Sequence, residues 1–425
     1  MNTLKINKPS IARYAHWFLL ISLIAISAAG FTLYQGLQNG DPRPFFGWLI
    51  GFSFWFSIAI GMLFLIMLWY IFGAGWPIVI RRQLEHCLSA IPGLFILLAP
   101  LICIPLISDK HKGIVWKWLD PETITAGGIS VGSDILYLKK QAYLNLPFFC
   151  CRVVLYGLIL STIAFLLRKY SFSLDNNPQS SYIHKARKLS AIGIPITALT
   201  ATFAAFDFFM SISYHWFSTM YGVCFFATSM RAGLAVTILL CAALAHQGYL
   251  KGLFNQAHRY ELACLSLAFT IFWAYVTFSQ YFLIYNANMP EETFWYSMRE
   301  LHIDGTKNSW WWVGLLGLVF GYFVVPFIYL LSYYNKVNVK RLILIACWIL
   351  VFHIVDLYFN ILPFQIPANN ALGYIVQPFS IELTDVTALI GIGSFCAWSF
   401  LNSLKKAAVI PINDPFIQES IHHHE

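Results

Sequence analysis

At 425 residues, with 59% hydrophobic and 11% charged side chains and a mean hydropathy of +0.66, the chain is too apolar for a soluble protein, where charged residues make up about a quarter. It reads as an integral membrane protein. The formal charge of +8 does not point to nucleic acid, because the basic residues lie in short loops between apolar runs and form no patch with interleaved aromatics.

A window of roughly 19 residues, the length that spans a bilayer, predicts ten helices at about 14–34, 49–72, 89–107, 147–168, 188–209, 218–246, 259–284, 310–332, 340–361 and 381–403. The first follows Lys5, Lys8 and Arg13, a basic start like that of a signal peptide. Its run from Tyr14 to Tyr34 is long enough to span, and no small-x-small cleavage site closes it, so a retained helix is expected. The third is interrupted by Pro92, Pro100 and Pro105 and is expected to kink or break. The fold class expected is therefore all-α and polytopic, 1–425 forming one membrane domain.

An even number of spans puts both termini on one side. Of the 27 Lys and Arg, 17 fall on that side, 8 on the other, and Arg152 and Arg231 within spans. The richer side, with both termini, is then cytoplasmic. The two longest loops, 109–146 and 285–309, lie outside. They carry GGISVGSD (127–134) and NMPEET (288–293) without phosphate-binding spacing, and are suited to docking partners or capping a site. Trp310, Trp311 and Trp312 mark an interfacial belt.

The polar gap between the fifth and sixth spans is the most informative stretch. Asp207 ends one run, Ser211, Ser213, His215, Ser218 and Thr219 line the gap, and Arg231 sits deep in the next run. A charge in hydrocarbon costs about 2.5–3.5 kcal/mol on insertion scales, so such groups are functional or paired. At about 1.5 Å per residue, Arg152, Asp207, His353, Asp356, Glu382 and Asp385 all fall toward the outer surface. His353, Asp356 and Asn360 share one narrow stripe, and Glu382 and Asp385 one face. The cluster reads either as a proton-conducting or quinone-adjacent site or as a set of structural ion pairs, such as Arg152 with Asp207 or Asp356. Arg231 is too deep to snorkel, whereas His246, Glu261 and His16 read as interfacial.

Nine cysteines without CxxC, CxxCH or Cys/His spacing argue against c-type haem, iron–sulfur clusters and structural zinc on this chain. They read as small buried hydrophobes. Among His16, His86, His215, His246 and His353, only His215 and His353 share the outer side, and hydrogen-bonded histidine is the preferred reading over bis-histidine haem.

The stretches FGAGWPIVIRRQLE (72–85), DFFMSISYHWFSTMYGVCFFA (207–227), FSQYFLIYNANMPEETFWY (278–296), HIVDLYFNILP (353–363) and NDPFIQESIHHHE (413–425) resemble the ActF membrane subunits of alternative complex III, relatives of NrfD and polysulfide-reductase membrane subunits. The likeness covers most of the chain and marks the tail's histidines as native sequence. It implies two four-helix bundles, spans two to five (49–209) and six to nine (218–361), with the first and tenth spans peripheral. It also implies an inner-membrane subunit with no redox cofactor of its own, conducting protons beside quinol oxidation. The implied partners are an ActC-like quinol-binding paralogue, periplasmic iron–sulfur and multihaem cytochrome c subunits, and a terminal oxidase. Where the family has an acidic-Pro-His pattern, this chain has Ser213-Tyr214-His215, so Asp207 and His215 are the matching polar pair. The expected site is a half-channel from Arg231 outward through Asp207, His353 and Asp356. A secondary transporter with a charged mid-membrane site and a purely structural assembly subunit are the competing readings.

Overall fold

The computed structural model describes residues 10–124, 128–177, 180–302, 305–367 and 374–423. Lys5, Lys8, Gly127 of the glycine-rich stretch, and His424 and Glu425 of the tail lie outside them. The protein is all-α and carries ten helices long and apolar enough to cross a membrane: α1 Ile11–Asn39, α2 Arg43–Phe72, α3 Ile78–Ile107, α4 Leu146–Asn176, α5 Ser181–Phe208, α6 Tyr221–His246, α7 Gln256–Ala287, α8 Ser309–Leu331, α9 Val339–Ile361 and α10 Leu383–Leu404. A hairpin pairing Gln365–Pro367 with Tyr374–Val376 follows α9.

Local chemistry sets the helix ends. Asn145, Asn255, Asn308 and Asn338 cap α4, α7, α8 and α9 by accepting backbone N–H bonds, which serve donors that have no intrahelical partner. Gly40 (φ 67°) and Gly73 (φ 60°) end α1 and α2 in the left-handed conformation that glycine adopts without strain. In α3 the break expected from the prolines falls at a 3-10 turn, Leu88–Ala90, just before Pro92.

Helix α2 is the axis of the molecule. It is apolar all round, as a helix enclosed on every side must be, and 94% of its spanning window is buried. It packs against α3, α5, α6, α9 and α10, while α1 lies along α10. Against α6 the two backbones meet at Gly61 and Gly233: a Cβ on Gly61 would run into the Ser229 carbonyl, and one on Gly233 would lie 3.0 Å from the backbone of Gly61 and Met62. Small residues permit such approach between membrane helices. Gly61→Val is expected to destabilise the protein by about 3 kcal/mol, the upper end for overpacking. The monodisperse fraction after detergent extraction would report it, and a wild-type elution profile would contradict the close crossing.

The middle of α8, Val313–Val324, is a π-helix. Two side-chain donors reach its carbonyls: Trp348 Nε1 bonds the Gly321 oxygen at 2.7 Å and Arg231 Nη2 the Tyr322 oxygen at 2.5 Å. Donors inserted into a helix ladder distort it in this way. On the α9 side, Gly314, Gly317 and Gly321 receive Phe359, Val355 and Phe352.

Candidate functional site

The polar centre of the membrane region lies where α6, α8 and α9 meet α2. Cys224, Thr228 and Arg231 are spaced along one face of α6. On α9, His353, Asp356 and Asn360 face inward, as their stripe requires. His353 is fully buried; its Nε2 lies 2.8 Å from the Ser57 hydroxyl of α2 and its Nδ1 3.5 Å from the Tyr322 hydroxyl of α8. The Asp356 carboxylate accepts from Thr228 Oγ1 at 3.2 Å and Asn360 Nδ2 at 3.3 Å. Arg231 is 1% exposed. Its guanidinium stacks 3.7 Å from the Tyr322 ring centroid and donates to the Tyr322 carbonyl, and its Nε and Nη1 have no acceptor among the described residues.

Asp356, Asn360 and Thr228 line a cavity of about 70 Å³ together with Thr277, Gln280 and Tyr296. That volume holds a few water molecules, at roughly 10–15 Å³ each. Gln280 continues the polar line toward the end of the bundle that carries the 109–146 loop, accepting from the Ser218 hydroxyl at 2.8 Å and donating to the Tyr296 hydroxyl at 2.9 Å.

The other expected site residues are placed elsewhere. Asp207 is clamped by Arg152 Nε and Nη2 at 2.7 and 2.9 Å and accepts from the Tyr156 hydroxyl at 2.6 Å. Arg152 also donates to the Tyr143 carbonyl and lies 3.8 Å from the Tyr143 ring. Of the two pairings open to Arg152, the structure forms the one with Asp207. Glu382 and Asp385 make a capping box at the start of α10. Arg43 binds Asp385 through two bonds at 2.8 and 2.6 Å and approaches Glu382 at 3.5 Å, while the Tyr358 hydroxyl donates to Asp385. These six groups therefore form three separate assemblies, with Arg231 joined to only one of them.

His215 belongs to a cap formed with the 109–146 loop. Its Nε2 lies 2.5 Å from Asp134 of the 109–146 loop, which also accepts from the Tyr214 hydroxyl. Partial burial works against the Asp134 charge, but bonds from His215, the Leu136 N–H and Tyr214 outweigh it and hold the carboxyl below its ordinary value. Lys140 Nζ bonds the Tyr214 carbonyl and Lys117 Nζ the Gln365 carbonyl, so the loop is tied across this end of the bundle.

A second buried polar cluster, at the end of the bundle opposite the 109–146 loop, falls mostly on residues that read as loop charges in the sequence. Arg81, Arg82, Glu85 and His86 are helical and buried. Glu85 accepts from the Tyr70 hydroxyl at 2.9 Å and from the Ser171 hydroxyl; Arg81 reaches Asp414 at 2.6 Å, Arg82 clamps Asp175, and His86 Nδ1 bonds Ser403. The signal was the spacing: Arg81 and Arg82 lie four and three residues before Glu85, so they pair on one turn. Gln280, Thr228, Tyr322, Ser57 and Arg43 were likewise not read as site residues. Among the described residues no three His, Cys, Asp or Glu side chains gather in a metal-holding group.

No protein-family model matches the chain, and no curated protein is similar to it. The fold and the polar centre define its class: a multi-pass α-helical membrane protein with a carboxylate and a guanidinium enclosed beside a water-sized cavity.

Proposed function

We propose that the chain is a proton-conducting membrane subunit of a quinol-oxidising respiratory complex of the alternative complex III type. It lies in the bacterial inner membrane with both termini cytoplasmic and holds no redox cofactor of its own. Haem, iron–sulfur centres and quinol oxidation belong to partner subunits. The subunit assignment rests on the sequence resemblance.

One observation carries the proton-conducting part. Of the five buried carboxylates Glu85, Asp207, Asp356, Asp385 and Asp414, Asp356 alone has no cationic side chain within ion-pair distance among the described residues. A carboxylate clamped by arginine is held ionised and cannot pass on a proton. Asp356 has only neutral donors at long range, opens on a cavity that admits water, and feels the Arg231 charge through space. The outward path runs from Asp356 through the cavity to Tyr296, Gln280 and Ser218. Inward of it, Tyr322, His353 and Ser57 offer further exchangeable protons.

Extraction from native membranes in mild detergent tests the assignment. Haem-bearing partners reducible by quinol should accompany the chain; a colourless lone protein would overturn the assignment in favour of a transporter. The orientation has its own check. Cysteines introduced at Asn177 and Glu122 should react with an impermeant maleimide from opposite faces, and labelling from the same face would contradict the ten-span topology.

A further inference from the structure

Helices α7 and α8 pack closely only at their inner ends. There α7 lies against Val325–Leu331 and the following turn Tyr333–Val337, but it barely touches the π-helical stretch Val313–Val324. The outer halves diverge around a cleft of about 500 Å³, within the roughly 300–1,000 Å³ range of small-molecule sites. Its walls are Trp273 and Phe278 of α7, Trp311, Leu315 and Val319 of α8, and Phe359 of α9. Phe278 and Val319 are well exposed, so the cleft opens sideways to where lipid would lie. π-helical turns are frequent at functional sites. The cleft also shares Trp273, Thr277, Tyr296, Leu318 and Phe359 with the Asp356 cavity.

The polar groups at its outer end are specific in kind. Glu300 faces the cleft and accepts from the Tyr285 hydroxyl at 2.7 Å, with Tyr281 and Tyr296 beside it. Arg299 is not free to hold an anion: its donors go to the carbonyls of Phe359, Trp295 and Asn360, and it stacks 3.3 Å from the Trp295 ring. Lys307 sits 3.2 Å from the Trp311 ring centroid at the rim. A phosphate head entering here would meet a carboxylate and an arginine already occupied, with Lys307, stacked on Trp311 at the rim, as the one other cation near it among the described residues. A neutral flat ring bearing hydroxyl or carbonyl oxygens would meet aromatic walls, tyrosine hydroxyls and one acid that accepts a bond.

We infer that the cleft between α7 and α8 binds a lipoquinone, its ring against Tyr281, Tyr296 and Glu300 and its tail passing between Phe278 and Val319 into the bilayer. This goes beyond the proton-conducting reading and does not depend on it, because occupancy is measured without turnover.

The test uses the full-length protein in phosphatidylcholine nanodiscs and an azidobenzoquinone with a decyl tail as photoprobe. Saturable labelling is expected in peptides covering 278–285 and 293–300, which surround the ring, displaced by unlabelled decylubiquinone. At Gly314 a Cβ would meet Phe359 at 3.4 and 3.9 Å, an ordinary contact, so Gly314→Leu can keep the fold while its remaining atoms fill the cleft. It should lower affinity by about tenfold or more. Glu300→Gln should weaken binding several-fold while leaving a hydrogen-bonding group, and it decides the matter should Gly314→Leu fold poorly. Labelling that does not saturate, or that both variants leave unchanged, overturns the proposal. So does a phospholipid, identified by native mass spectrometry, that the quinone cannot displace.

Discussion

Asp356→Asn is expected to leave the protein folded and assembled while lowering the rate of quinol-driven proton release by about 100-fold, the lower end of what one positioned acid–base group contributes. Asparagine keeps the volume, can still accept from Asn360, and can meet Thr228 once that hydroxyl rotates. Only the exchangeable carboxyl proton is lost. No cation in contact is orphaned, since Arg231 leans on the Tyr322 carbonyl and ring and not on Asp356 directly. Asp356→Glu, which keeps the acid but displaces it by one methylene, should retain part of the rate. Subunit content and dye-reported proton release in proteoliposomes check this together. An assembled complex with unchanged proton release would rule out the relay, and failure to assemble would make Asp356 a structural residue.

Hydropathy alone made the ten spans legible, because a run of about 20 apolar residues has few alternatives to crossing a bilayer. Two of its errors share one cause. Helix α2 begins at Arg43 and not near 49, and α3 begins at Ile78 and not near 89. In both places a window average penalises arginines that the fold buries against Asp385, Glu85, Asp414 and Asp175. A sum over one segment does not see the carboxylate that another segment brings.

The same limit governs the site. Rise per residue gives depth, and it placed Arg152, Asp207, His353, Asp356, Glu382 and Asp385 at one level. It gives no azimuth between helices, so it could not tell that these groups divide into three assemblies. Within one helix the azimuth was readable, and the stripe His353–Asp356–Asn360 does face inward. Tyr322 and Ser57 were not legible, because a tyrosine or serine in an apolar run carries no signal until its neighbour is known.

Asp207→Asn is expected to cost about 3–5 kcal/mol of stability, the usual penalty for breaking one side of a buried ion pair, and therefore most of the extractable protein. Arg152 is 6% exposed and Asp207 fully buried. Removing the carboxylate charge leaves a buried guanidinium with neutral support only: the asparagine's one amide oxygen, the Tyr143 carbonyl and the Tyr143 and Phe148 rings. Arg152→Gln should cost a similar amount by leaving Asp207 with the Tyr156 hydroxyl alone. The double replacement Arg152→Met with Asp207→Leu removes both desolvation penalties, and buried pairs replaced by apolar groups of similar volume are often neutral or better. It should recover much of the wild-type yield and melting temperature, since only the Tyr156 hydroxyl and the Tyr143 carbonyl lose partners. Fluorescence-detected size exclusion and thermal unfolding of the three variants distinguish the outcomes. Single variants as stable as wild type would show that this pair contributes little. Stable single variants with lost proton release would instead move the relay from Asp356 to Asp207.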